Sequence, residues 1–111
     1  TSTTAESQTL SNPMYIHSIP NNNDNQDIVS MGTNSALLAA KVIENGFQVL
    51  SIELITICQA IDALKCKDFV SSATKDLYEN VRAVVPAYRE DRPMYKEIEA
   101  VKNRLLNGEV S

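Results

Sequence analysis

Apolar residues along the chain fall into three regimes. Residues 1–27 show no apolar repeat at either the helical or the strand period, and Pro13, Pro20 and the run Asn21-Asn22-Asn23-Asp24-Asn25 punctuate them. They read as a polar arm or loop. From Ile28 to about Cys66 the period becomes helical, with no proline and only Gly32 and Gly46 as weak points. Asp27 or Asn25 is placed to cap its start. A second helix is expected from about Ser72 to Val85, with Ala73, Leu77, Val81 and Val84 at three- and four-residue spacing and Pro86 as its stop. A third begins at Asp91-Arg92-Pro93 and carries Met94, Ile98, Val101 and Leu105, with Gly108 placed for a left-handed cap. No run alternates convincingly, so the fold class is all-α: one long central helix plus two shorter amphipathic ones, with residues 28–111 forming a helical segment.

Placing the long helix on a wheel at about 100° per residue gives it an unusual surround. Val49, Leu50, Ile57, Ala60, Ile61 and Leu64 encircle Glu53 on one wide face, and Phe47, Leu54 and Cys58 extend it. The far side mixes Gln48, Ser51, Gln59 and Asp62 with Ile55. A carboxylate set among Val49, Ile57 and Ala60 costs several kcal/mol to bury unless it is paired, so Glu53 is expected to be a structural buried acid with a partner on another helix. A helix of this span is about 55 to 60 Å long at roughly 1.5 Å per residue. A compact globule of this size has a radius of gyration of only about 13 Å. Neighbouring polypeptide is therefore expected to enclose its apolar middle. Charged and polar interruptions argue against a membrane span.

Composition narrows the chemistry. With 111 residues, a net charge of −4 and no Lys/Arg cluster, the chain lacks the basic stripe that phosphate backbones or anionic membranes require. The first twenty residues lack the basic start and apolar run of a signal peptide, so a cytoplasmic location is expected. Cys58 and Cys66, eight apart on a helical pattern, read as reduced thiols rather than metal ligands. His17 is the sole histidine and has no partner at catalytic spacing. No glycine loop and no nucleophile–base grouping is present, so no catalytic residue is assigned and no metal is expected.

One segment adds more. Ser18-Ile19-Pro20-Asn21-Asn22-Asn23-Asp24-Asn25-Gln26-Asp27-Ile28-Val29-Ser30-Met31-Gly32 resembles the Asn-Gln-Asp-x-x-Ser-(Leu/Met)-Gly signature of the phenylalanine, tyrosine and histidine ammonia-lyases and related aminomutases. Glu53-Leu54 and Cys58-Gln59-Ala60-Ile61-Asp62 are similar to a second run of that family, so the resemblance covers roughly residues 17 to 66. It implies that the chain is the C-terminal part of an aromatic amino acid ammonia-lyase. Such a protein would be a larger helical-bundle enzyme, assembled as a homotetramer with active sites built by several subunits. The family's electrophile is a methylidene-imidazolone ring made from an internal Ala-Ser-Gly, which this sequence lacks, so the chain alone is expected to be inactive. Tyr15, Tyr78, Tyr88 and Tyr95 do not inherit the family's tyrosine base. Asn22 and Gln26 match the two positions that approach the substrate amine and the electrophile. Neutral amides suit that place because they donate and accept hydrogen bonds without trapping the ammonium as an ion pair. Gln26, where histidine enzymes usually carry Glu, points to tyrosine or phenylalanine rather than histidine. An aromatic amino acid 2,3-aminomutase and a non-catalytic helical assembly module are the alternatives.

Overall fold

The computed structural model describes residues 1–14 and 31–109. Within them lie α1 (Ser2–Leu10), α2 (Gly32–Leu64), a 3-10 turn (Lys67–Phe69), α3 (Ser72–Arg82) and α4 (Tyr95–Leu106), with no strand among the described residues. The all-α expectation holds. The chain divides into two units, Thr1–Gly46 and Phe47–Ser111, and α2 contributes to both.

In the first unit, α1 corrects the reading of residues 1–27 as an arm without helix. Its sequence has no apolar stripe and buries no residue, so a search for helical apolar periodicity passes over it. Short polar side chains and one long-range tie hold it instead. Thr9 Oγ1 donates to the Ala5 carbonyl at 3.1 Å and Ser11 Oγ to that of Ser7 at 2.7 Å. From α2, the Asn45 amide donates to Glu6 Oε2 at 2.8 Å and to Ser7 Oγ at 3.2 Å. Asn45 is only 2% exposed, so these bonds answer the cost of burying its amide. An apolar groove of about 370 Å³, lined among others by Leu10, Met14, Leu38 and Val42, lies in this unit.

In the second unit, α2 packs with α3 and α4 around Ile55, Cys58, Ile61, Tyr78, Val81, Val85 and Val101. Val81, Val85 and Val101 are almost fully enclosed. On α3 this follows from spacing, because Tyr78, Val81 and Val85 recur at three and four residues and so share one stripe. Ser71 caps α3 by accepting from the Thr74 N–H at 3.2 Å. Helical geometry ends at Arg82, three residues short of the expected Val85, though the Val85 N–H still reaches the Val81 carbonyl at 2.9 Å. The start of α4 falls at Tyr95, behind Pro93 rather than around it. Arg92 reaches forward to pair with Glu97 in its first turn. The expected left-handed cap is present: Gly108 has φ 68, its N–H bonds the Leu105 carbonyl, and the Glu109 N–H bonds that of Arg104.

The end of α2 uses the same device with a different residue. Lys65 stands at φ 52, with its N–H on the Asp62 carbonyl at 3.2 Å and the Cys66 N–H on that of Ile61 at 3.2 Å. This closes the helix two residues before the expected Cys66 and puts a side chain where glycine fits best. By length and composition alone α2 could cross a membrane. A core helix passes the same test, and here α2 is packed along one side.

The packed side straddles the two faces of the wheel, taking Ser51 and Ile55 from the mixed side and Cys58 and Ile61 from the edge of the apolar one. Ser51, Ile55, Cys58 and Ile61 are buried, whereas Val49, Leu50, Ile57 and Leu64 are exposed. Glu53, expected to be buried among them, is exposed on this chain. The cause is polar complementarity: α3 offers a cation and a phenol that the amide and acid of α2's far side can engage, so α3 docks there.

Candidate functional site

Asn22, Gln26 and His17 lie outside the described residues. The second signature run, Cys58 to Asp62, can be followed atom by atom. Gln59 and Asp62, one helical turn apart, project from α2 toward Tyr78 and Arg82, which are four apart on α3. Arg82 Nη2 donates to Asp62 Oδ2 at 2.6 Å and to Gln59 Oε1 at 3.2 Å, and its Nη1 donates to the Val85 carbonyl at 3.1 Å. The Tyr78 hydroxyl donates to Asp62 Oδ1. Gln59 completes the set by donating its amide to the Tyr88 carbonyl at 2.5 Å. One guanidinium thus joins α2, α3 and the segment after α3. The Arg82 side chain is 12% exposed and that of Asp62 is 28% exposed. Arg82 Nε is buried without a partner among the described residues.

This arrangement has a chemical direction. Each carboxylate oxygen of Asp62 accepts one hydrogen bond, from Tyr78 and from Arg82, which fixes its orientation between the helices. The Tyr78 hydroxyl is held above the usual phenol range, first because it donates to Asp62 and next because it is buried, while Arg82 pulls the other way. A phenol held in its neutral form is a hydrogen-bond donor before it is a base. Two cations flank its ring: Lys67 Nζ lies 5.0 Å and the Arg82 guanidinium 5.7 Å from the centroid. Burial pushes the Cys58 thiol up, with Arg82 opposing. Cys58 and Cys66 are both free thiols. A cleft of about 410 Å³ beside the network is lined by Gln59, Asp62, Ala63, Ala87, Tyr88 and Arg89. Among the described residues no group of three His, Cys, Asp or Glu side chains is placed to hold a metal.

The described part of the signature therefore acts as a clasp between helices. Sequence reasoning singled out Gln59 and Asp62 but passed over Tyr78 and Arg82. The signal was available, since both fall on the stripe that carries Val81 and Val85, where an arginine is out of place without an acid opposite.

Comparison with known proteins places this geometry. Residues 1–83 match the family model described as aromatic amino acid lyase. The chain is 41% identical over 109 residues to the MIO-dependent tyrosine 2,3-aminomutase of Streptomyces globisporus, covering 98% of the chain and 20% of that protein. It is 39% identical over 106 residues to histidine ammonia-lyase 1 of Fusobacterium nucleatum, covering 96% and 20%. Among solved structures, tyrosine aminomutase from Streptomyces globisporus superposes with a TM-score of 0.90 at 40% identity over 98% of this chain and 20% of that one. Histidine ammonia-lyase from Trypanosoma cruzi does so with a TM-score of 0.86 at 32% identity, over 98% and 21%. The chain spans about a fifth of the length of the curated relatives it matches. It belongs to the aromatic amino acid lyase family.

Proposed function

We propose that the protein built with this chain eliminates ammonia from an aromatic amino acid, tyrosine or phenylalanine in preference to histidine, and that this chain contributes its C-terminal part. The supporting observation is a match along nearly the whole chain to lyases and an aminomutase, together with the run from Asn22 to Gly32. Relatives acting on histidine and on tyrosine match almost equally well, so the preference rests on Gln26. The electrophile of this proposal is a methylidene-imidazolone ring, which supplies the means to turn the substrate amine into a leaving group. No Ala-Ser-Gly occurs here to form it. The part of this chain is polar lining: Asn22 and Gln26 hold the amine and the electrophile by uncharged hydrogen bonds.

Assembly belongs to the same proposal. The exposed Val49, Leu50, Ile57 and Leu64 around Glu53 make a face that water would not be left to cover, and the remainder of the lyase in a homotetramer is the occupant we assign. A cytoplasmic location is part of this reading. A second reading, a helical assembly module without catalysis, draws on that same face.

Absorbance of cinnamate or coumarate formed by the complete protein tests the first reading, with the 111-residue chain alone as a comparison expected to show no turnover. Asn22→Ala and Gln26→Ala in the complete protein are expected to lower kcat by about a hundredfold each. A complete protein inert toward tyrosine, phenylalanine and histidine would leave the module reading in possession. A β-amino acid product would move the assignment to the aminomutase.

A further inference from the structure

Two of the chain's three glycines follow an asparagine, at Asn45-Gly46 and Asn107-Gly108. In such a pair the glycine nitrogen can attack the asparagine side-chain carbonyl carbon, since the absence of a Cβ leaves its approach unhindered and its dihedrals free. The fold treats the two pairs in opposite ways.

Asn107 is the C-cap of α4, and Asn107, Gly108 and Glu109 are all exposed. Open space surrounds the position a Cβ would take on Gly108 and on Gly46 alike, so the difference between the pairs lies in the asparagines and their backbone. The Gly108 nitrogen is engaged by the Leu105 carbonyl at 3.1 Å, a bond in the last turn of a helix, where local opening costs little. Among the described residues the side-chain amide of Asn107 reaches Glu109 Oε1, at 3.4 Å on the surface. Asn45, by contrast, is 2% exposed, sits inside α2 and is held by Glu6 and Ser7. Reaction there requires breaking both side-chain bonds and opening the interior of a long helix at Gly46.

We infer that Asn107 is a site of spontaneous deamidation in this protein, and that Asn45, with the same dipeptide, is protected by the fold. The Gly108 nitrogen forms a bond to Asn107 Cγ, and the side-chain nitrogen leaves as ammonia, taking the proton that the Gly108 nitrogen gives up. Water then opens the resulting five-membered imide at either carbonyl, leaving aspartate or isoaspartate. The new carboxylate stands at the negative end of the α4 dipole and beside Glu109, both unfavourable, so the last turn that carries Leu105 loosens. The same change at Asn45 would set a buried carboxylate against Glu6, which shows what the protection prevents.

The experiment is peptide mapping by mass spectrometry of the complete protein, aged in mildly alkaline buffer with and without urea. Cleavage after Lys41, Lys65 and Arg104 separates the two sites. In native protein the mass gain of acid over amide should accumulate at Asn107 at least about ten times faster than at Asn45. In urea the two rates should converge. Native Asn45 reacting as fast as Asn107 would overturn the inference, as would a native Asn107 left intact under conditions in which the urea-treated chain reacts.

Discussion

Two sides of one helix, between Val49 and Leu64, obey different rules. The side that meets α3 and α4 is the more polar one, and it is settled within the chain: Gln59 and Asp62 are bonded, and Ile55, Cys58 and Ile61 are enclosed. The side around Glu53 is the more apolar one and stays open, with Leu50 at 49% and Ile57 at 46% exposure. Hydrophobicity alone does not choose between them, because apolar residues lie on both sides. Amides and carboxylates are costly to leave unpaired once any neighbour shields them from water, so the side holding them goes to the partner carrying the matching cation.

The sharpest way to break this comparison is Arg82→Ala. It strands the Asp62 carboxylate, the Gln59 carbonyl oxygen and the Val85 carbonyl in a half-buried place, and a loss of about 3 kcal/mol is expected in urea unfolding followed by circular dichroism. A loss no larger than that of an ordinary surface substitution would mean that the packed side is held by its apolar residues alone.

Alkaline pH probes the same side more gently. Tyr78 and Cys58 both titrate higher in the folded chain than in the unfolded one. The folded state therefore keeps protons that the unfolded state releases, so their contribution is complete below the unfolded values, roughly 8.5 to 10, and is lost as pH rises through the folded ones. Midpoints should fall with rising pH in that window, and Tyr78→Phe together with Cys58→Ala should flatten the slope. An unchanged slope in the double variant would count against the clasp.

Lys65→Gly sharpens the boundary between the two sides, where α2 ends. Glycine takes φ 52 without the penalty a Cβ brings, and a gain of about 1 kcal/mol is expected in the same unfolding measurement. The smallest effect on the chain itself belongs to the open side. Leu50→Gln with Ile57→Gln should change its stability by no more than about 0.5 kcal/mol, because both side chains are already half in water. The same pair in the complete protein should dissociate the assembled species on size exclusion. Intact assembly would remove the open side's assigned purpose.

Much of the fold was legible in the sequence because it is written in periodicity. The long helix, the set Met94, Ile98, Val101 and Leu105, and the cap at Gly108 all follow from spacing and turn chemistry, whereas the stripe of α3 runs through Tyr78, Val81 and Val85 and shares only Val81 with the expected Ala73, Leu77, Val81 and Val84. The misses share a physical cause. Helix α1 has no apolar stripe, and Asn45, 38 and 39 residues from its partners Ser7 and Glu6, holds it by hydrogen bonds that leave no local trace. Glu53 stands on the open side of this chain, where the neighbouring polypeptide expected to enclose it would meet it. Of the candidate site, the signature runs identified the family, but Asn22 and Gln26 fall outside the described residues.

The clasp also bears on how such a chain comes together. Tyr78 and Asp62 are 16 residues apart, Arg82 and Asp62 20, and Gln59 and Tyr88 29. Ties over such short loops close at little entropic cost, so the segment from Phe47 onward has the low contact order of a rapid folder. Its clasp closes without help from polypeptide on the opposite side of α2. Wherever the opposite side is left uncovered, Leu50, Ile57 and Leu64 face water, and aggregation through that greasy strip is the hazard the fold carries.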